Sequence, residues 1–182
     1  MLNAPRRVVG WCCLLPLLLV SCAGPALRDG PSEEAEERRI VGLETALVAL
    51  GAGVDRAEAR SLAVAAHTAS RRLAAAYRVA PPARWHNLLV QVGARERGLC
   101  YHWTEDLLRH LKALGLRTLE LHWGVAHRGS DLREHNSVVV TAAGGPFAEG
   151  LVLDPWREAG RLVWVRVRED RYPWEPLPPE AW

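Results

Sequence analysis

The hydrophobic period of this 182-residue chain changes at Gly115. Before that glycine, apolar residues recur at helical spacing; after it, they alternate. Ile40, Leu43, Leu47 and Leu50 form a first stripe, preceded by Glu33, Glu34, Glu36 and Glu37, acids that suit a helix's first turn. Gly51 to Gly53 end it. Asp55, with Glu58 three positions on, has the form of an N-cap and its box. The second stripe is Leu62, Ala65, Ala66, Ala69, Leu73 and Ala76, and Pro81-Pro82 stop that helix. A short third helix is expected over 84–92. A fourth spans 99–114, with Leu107, Leu108, Leu111 and Leu114 facing inward and Gly115 as its C-cap.

Downstream, Leu119, Leu121, Trp123 and Val125 share one strand face, and Glu120 and His122 the other. His127 to Asp131 read as a polar loop. A second strand is expected from about Asn136 to Thr141, a third over Leu151 to Leu153, and a fourth over Leu162 to Val167. The third should halt at Asp154-Pro155, because proline cannot continue a central ladder. The tail, 171–182, carries four prolines and is expected to wrap the surface as neither helix nor strand, with Trp174 or Trp182 docking. Helices first and hairpin-neighbour strands second define an α+β domain over 33–170, N-terminal helices packed on an antiparallel sheet.

The first 21 residues read as a processing signal. Arg6 and Arg7 precede an apolar stretch from Val8 to Val20, shorter than the roughly 20 residues a bilayer core needs. Leu19-Val20-Ser21-Cys22 resembles the lipobox of bacterial lipoprotein precursors, which implies cleavage before Cys22 and lipidation of its sulfur. Residues 22–32 are then a lipidated tether rich in Gly and Pro. Ala23 after the lipidated cysteine resembles lipoproteins sent to an outer membrane, so the expected location is the cell envelope, on the periplasmic face of that membrane where one exists. Losing Arg6 and Arg7 leaves 21 of 23 basic residues against 21 acids. A neutral product gives nucleic acid no electrostatic purchase, and the membrane is reached through the lipid alone.

Processing also settles the cysteines. Cys12 and Cys13 leave with the signal, Cys22 carries lipid, and Cys100 remains the single thiol. A lone thiol in an exported protein is either buried and inert or kept for reactivity. Cys100 follows Gly98-Leu99 in the first turn of the fourth helix, where unpaired N–H groups and the helix dipole favour a thiolate and offer donors to an oxyanion. A thiol nucleophile needs a base, and the base an orienting group. His102 is two positions along the same helix and does not face Cys100. His110 is almost three turns away, and His67 and His86 belong to earlier helices. His122 and His127 stay open. His135 opens a strand, and Asp154 ends the next, where an antiparallel neighbour brings it alongside; a carboxylate at the end of an apolar run needs such a partner. Asp106 and Asp131 read as a helix-surface acid and a loop residue. Asn87 and Gln91 precede Cys100 as candidate oxyanion side chains, with surface or capping roles as the alternative.

Three segments together resemble the transglutaminase-like cysteine enzymes, a branch of the papain-like fold: Gly98-Leu99-Cys100-Tyr101-His102-Trp103 at a helix start, Glu134-His135-Asn136-Ser137-Val138-Val139-Val140 on a strand, and Leu151-Val152-Leu153-Asp154-Pro155-Trp156 on the next. The resemblance covers roughly residues 84–168. It implies a nucleophile at the N-terminus of the central helix, a Cys100–His135–Asp154 triad in the family's order, and cleavage or transfer of an amide acyl group from a protein or peptide-like substrate, without a cofactor. Ser137 stands where the family often has Trp, and Trp156 where it commonly has Thr. His122, His127, His135 and Cys100 lack the short paired spacings of zinc motifs, so no metal is expected. The alternative is a catalytically silent member of the same family that acts as a binding or assembly lipoprotein.

Overall fold

The computed structural model describes residues 33–181. The signal segment, Cys22, the tether and Trp182 lie outside the described residues. Four α-helices come first: α1 (Glu33–Val48), α2 (Arg56–Ala76), α3 (Ala83–Gln91) and α4 (Cys100–Lys112). A five-stranded antiparallel sheet follows, built from β1 (Leu119–Ala126), β2 (His135–Ala142), β3 (Leu151–Glu158), β4 (Arg161–Arg166) and β5 (Trp174–Pro176) in the spatial order β4-β3-β2-β1-β5. The domain is α+β, as the change of period requires.

The stripes read from the sequence are the buried faces. Leu43, Leu47, Leu62, Ala66, Leu107 and Leu111 form one core with Val138, Val140, Leu151, Leu153 and Leu162 of the sheet. Asp55 caps α2 by accepting a hydrogen bond from the Glu58 backbone N–H at 2.9 Å. β2 is buried on both faces, because the sheet's far side carries a second core of Val139, Val152 and Val167, covered by Phe147 and Trp174. A third cluster, Leu73, Tyr77 and Trp103 with Trp156 against it, lies between α2, α4 and β3.

Several boundaries differ from expectation. α2 ends at Ala76, before Pro81-Pro82, and Arg78 takes a left-handed φ of 50° where the chain turns away. α4 stops at Lys112, and Leu114 lies exposed beyond it. β3 does not stop at Pro155. Its pairing with β4 is irregular between Asp154 and Glu158, and a bulge lets a strand carry a proline whose missing N–H leaves no ladder gap. The proline-rich tail also adds a strand: β5 pairs with β1, Ala126 opposite Trp174. Its position is the sheet edge, where Pro176 at the strand's end is tolerated.

Candidate active site

The site forms at one end of the sheet, where α4 begins. Cys100, half-buried and a free thiol, is the first residue of α4. The turn before it is held by three aromatic rings. Gly98 has φ of +130°, a conformation L side chains rarely adopt, and a Cβ there would lie 2.1 Å from His86 Nε2. His86 Nδ1 accepts from the Ala80 N–H at 3.3 Å, so Nε2 carries the proton and donates to the Arg97 carbonyl at 2.9 Å. Trp103 Nε1 donates to the Gly98 carbonyl at 2.9 Å. His102 folds back so that Nδ1 accepts from the N–H groups of Gly98 and Leu99, at 3.1 and 3.2 Å. Burial and the Arg97 charge hold the His102 pKa below its usual value, in keeping with a neutral acceptor. His86 and His102 therefore fix the backbone that presents Cys100, a role the sequence did not reveal.

His135 opens β2 and Asp154 lies on β3, diagonal neighbours on one sheet face because side chains alternate and Val138 pairs with Leu153. His135 Nε2 meets Asp154 Oδ2 at 2.6 Å. Cys100 lines the same groove as His135, and its nearness favours the charged ring. The imidazole is almost wholly buried among Trp156, Tyr172 and Trp174, with ring centroids 4.7, 4.9 and 5.4 Å away. Burial alone depresses its pKa most. The hydrogen bonds and charges of Asp154 and Cys100 together outweigh that, and the pKa rises to about 9. Asn136 Nδ2 approaches Cys100 Sγ at 3.9 Å, and its Oδ1 accepts from Trp123 Nε1 at 2.7 Å.

Asp154 is 1 % exposed and saturated with donors. Oδ1 accepts from the N–H groups of Trp156 and Arg157 at 3.0 and 3.2 Å, and Oδ2 from Arg157 Nε at 2.6 Å. Arg157 reaches on to Asp170, donating from one terminal nitrogen to Oδ1 at 3.1 Å and from the other to Oδ2. Trp174 Nε1 donates to Asp170 Oδ2 at 2.8 Å. Burial pushes the Asp170 carboxyl up, but the Arg157 and Trp174 hydrogen bonds outweigh it and the pKa falls. The tail thus reaches the site through Tyr172, Trp174 and Asp170. Sequence reasoning missed Arg157, Asp170 and Tyr172; only the buried acid at Asp154 hinted that a cation had to lie nearby.

The other expected residues separate. His67 is buried in α2 near Glu36, with Nε2 lacking a hydrogen-bond partner. His122 bonds Thr141 Oγ1 at 2.8 Å and meets Phe147 edge to face. His127 lines the groove over Cys100, its Nε2 3.3 Å from an Arg133 terminal nitrogen. Asp106 is not a surface acid: it is buried, and it accepts from the Tyr77 hydroxyl and from Arg109 at 2.5 Å. Asn87 and Gln91 both line the groove beside Cys100, and Asn87 Oδ1 accepts from Trp156 Nε1 at 3.0 Å. Among the described residues no group of three or more His, Cys, Asp or Glu is placed to hold a metal ion, and no helix is long and apolar enough to cross a membrane. The groove along His135 encloses about 570 Å³, room for a few residues of an extended chain.

No family model, curated protein or solved structure matches this chain.

Proposed function

We propose that this chain is an envelope-anchored thiol enzyme of transglutaminase-like type that cleaves or transfers an amide acyl group, with Cys100 as nucleophile, His135 as acid–base and Asp154 as its orienting partner. The observation that carries the reading is a buried imidazole whose Nε2 lies 2.6 Å from Asp154 and which lines one groove with Cys100, the free thiol among the described residues, at the head of a helix. Cys100 sulfur, its proton held on His135, attacks the carbonyl carbon. The α4 N-terminus supplies N–H donors for the oxyanion, and Asn87 and Gln91 border the same space. The C–N bond then breaks, and the His135 proton passes to the leaving nitrogen. Water, losing a proton to His135, hydrolyses the thioester to the acid and restores the thiol; an amine in its place gives a new amide. The lipid on Cys22 places this chemistry at the membrane surface.

What supports the reading is a helix-borne Cys followed along the chain by a strand-borne His and a strand-borne Asp, the order of the family the three segments resemble. The test is a thioester trap. p-Nitrophenyl acetate should release nitrophenol in a burst of one equivalent and leave an acetyl group on Cys100, located by mass spectrometry of the peptide. Cys100→Ala and His135→Ala should both abolish the burst. Turnover or labelling that survives His135→Ala would sink the triad, and a folded protein with no burst would leave the binding-module reading in its place.

A further inference from the structure

We propose that the substrate amide carries a carboxylate on its amine portion, the part that departs; this deepens, and rests on, the acyl-transfer reading above. The groove has two arms that meet at Cys100. The arm along His135 is bordered by Arg84, Arg133 and Arg171, contributed by α3, by the 127–134 loop and by the segment before β5. Among the described residues none of these three guanidiniums forms an ion pair with a carboxylate, whereas Arg157 beside the same site pairs with both Asp154 and Asp170. An Arg133 terminal nitrogen lies 3.3 Å from His127 Nε2, and Arg171 lies over the Tyr172 ring. Glu134 is the one acid of this arm, shared with the other, and its oxygens are taken by the Gly129 N–H and Asn136 Nδ2. The opposite arm, along Tyr101 and Asn136, carries Asp131 and Glu134 and no cationic side chain.

Three like charges brought together from separate segments repel one another, so their convergence favours an anion between them. Guanidinium forks suit a carboxylate. The polarity of the reaction assigns the arm. A general acid must stand within hydrogen-bond reach of the nitrogen it protonates. His135 lies in the cationic arm, so the amine portion runs there and the acyl portion runs towards Tyr101 and Asp131. A peptide-like amine portion with an acidic side chain or a nearby terminal carboxylate meets that demand.

Charged and neutral alkylating agents test this without any assumption about turnover. Second-order rates of Cys100 modification by iodoacetate and by iodoacetamide are measured on the whole protein at low salt. Replacing Arg133 and Arg171 together by Gln should lower the iodoacetate rate by roughly tenfold and leave the iodoacetamide rate unchanged. Added salt should lower the iodoacetate rate in the parent protein and have little effect in the double variant. Asp131→Asn, on the other arm, should not reduce it. An iodoacetate-to-iodoacetamide ratio indifferent to the arginines, or an equal fall for both reagents, overturns the proposed substrate class and leaves the nucleophile intact. A Cys100 that neither reagent modifies in the folded protein overturns the acyl-transfer reading and this proposal with it.

Discussion

Asp154 Oδ2 accepts from two cationic side chains at once, His135 Nε2 and Arg157 Nε, each at 2.6 Å. The imidazole and the guanidinium therefore compete for one buried oxygen. Arg157 is itself braced by Asp170, and Asp170 by Trp174. Removing Arg157 should strengthen the hold of Asp154 on the His135 proton while costing stability. We expect Arg157→Met to lose about 3 kcal/mol, since one member of a buried pair is left behind, and to move the His135 pKa above about 9. Ring NMR titration and denaturant unfolding read the two effects separately; a pKa that falls would contradict the competition.

Asp154→Asn removes the charge and weakens the hydrogen bond that raise the His135 pKa, so that burial, its largest single influence, depresses it further. The alkaline limb of activity should drop from about 9 by at least one unit, because His135 then loses earlier the proton it donates. An unmoved limb would assign that limb to another group.

The histidines impose opposite pH dependences on stability. His135 has a folded pKa raised to about 9 from 6.5, so its contribution is complete below pH 6.5 and is lost as pH rises through about 9. His67, lowered to about 4 chiefly by burial, and His102, also lowered, contribute above pH 6.5 and lose that contribution as pH falls below it. Stability should be greatest near neutrality and fall on both sides. In His135→Gln the alkaline fall between 6.5 and about 9 should shrink while the acid fall stays, as unfolding free energies against pH would report.

The Gly98 turn tolerates no side chain. A Cβ combines a positive φ with a contact of 2.1 Å on His86, and neither His86 nor the helix start has freedom to retreat. Gly98→Ala should cost about 3 kcal/mol, lowering the thermal midpoint by roughly 10 °C. His102→Phe, which strips the acceptor from two backbone N–H groups, should cost about 1–2 kcal/mol, and His102→Gln should recover part of it. Equal midpoints for Phe and Gln at this position would show that the acceptor is immaterial.

The helices and the first four strands are legible because their apolar spacing is the buried face: Leu43 and Leu47, or Val138 and Val140, sit where the period puts them. The His135–Asp154 contact is legible as well, since the strands that carry them are adjacent, although β3 runs on beyond Asp154; Cys100 at the helix start lines the same groove. Proline misleads in two places. At Pro155 a bulge absorbs the missing donor, and at Pro176 the strand is an edge, so neither residue needs a ladder bond. Arg157 and Asp170 are invisible to spacing because their partnership spans a strand turn and a tail. His102, two positions along the helix, does not face Cys100, but its ring folds back to accept from the Gly98 and Leu99 N–H groups, a role that helix spacing does not reveal.

The central claim is that His135 activates Cys100, and the rate of iodoacetamide modification at neutral pH in the folded protein, with and without the imidazole, tests it most directly. We predict rapid, stoichiometric labelling of Cys100 and a fall of tenfold or more in His135→Ala at unchanged far-UV circular dichroism. A Cys100 that stays unmodified until the protein is denatured, or that reacts equally fast without His135, would contradict it.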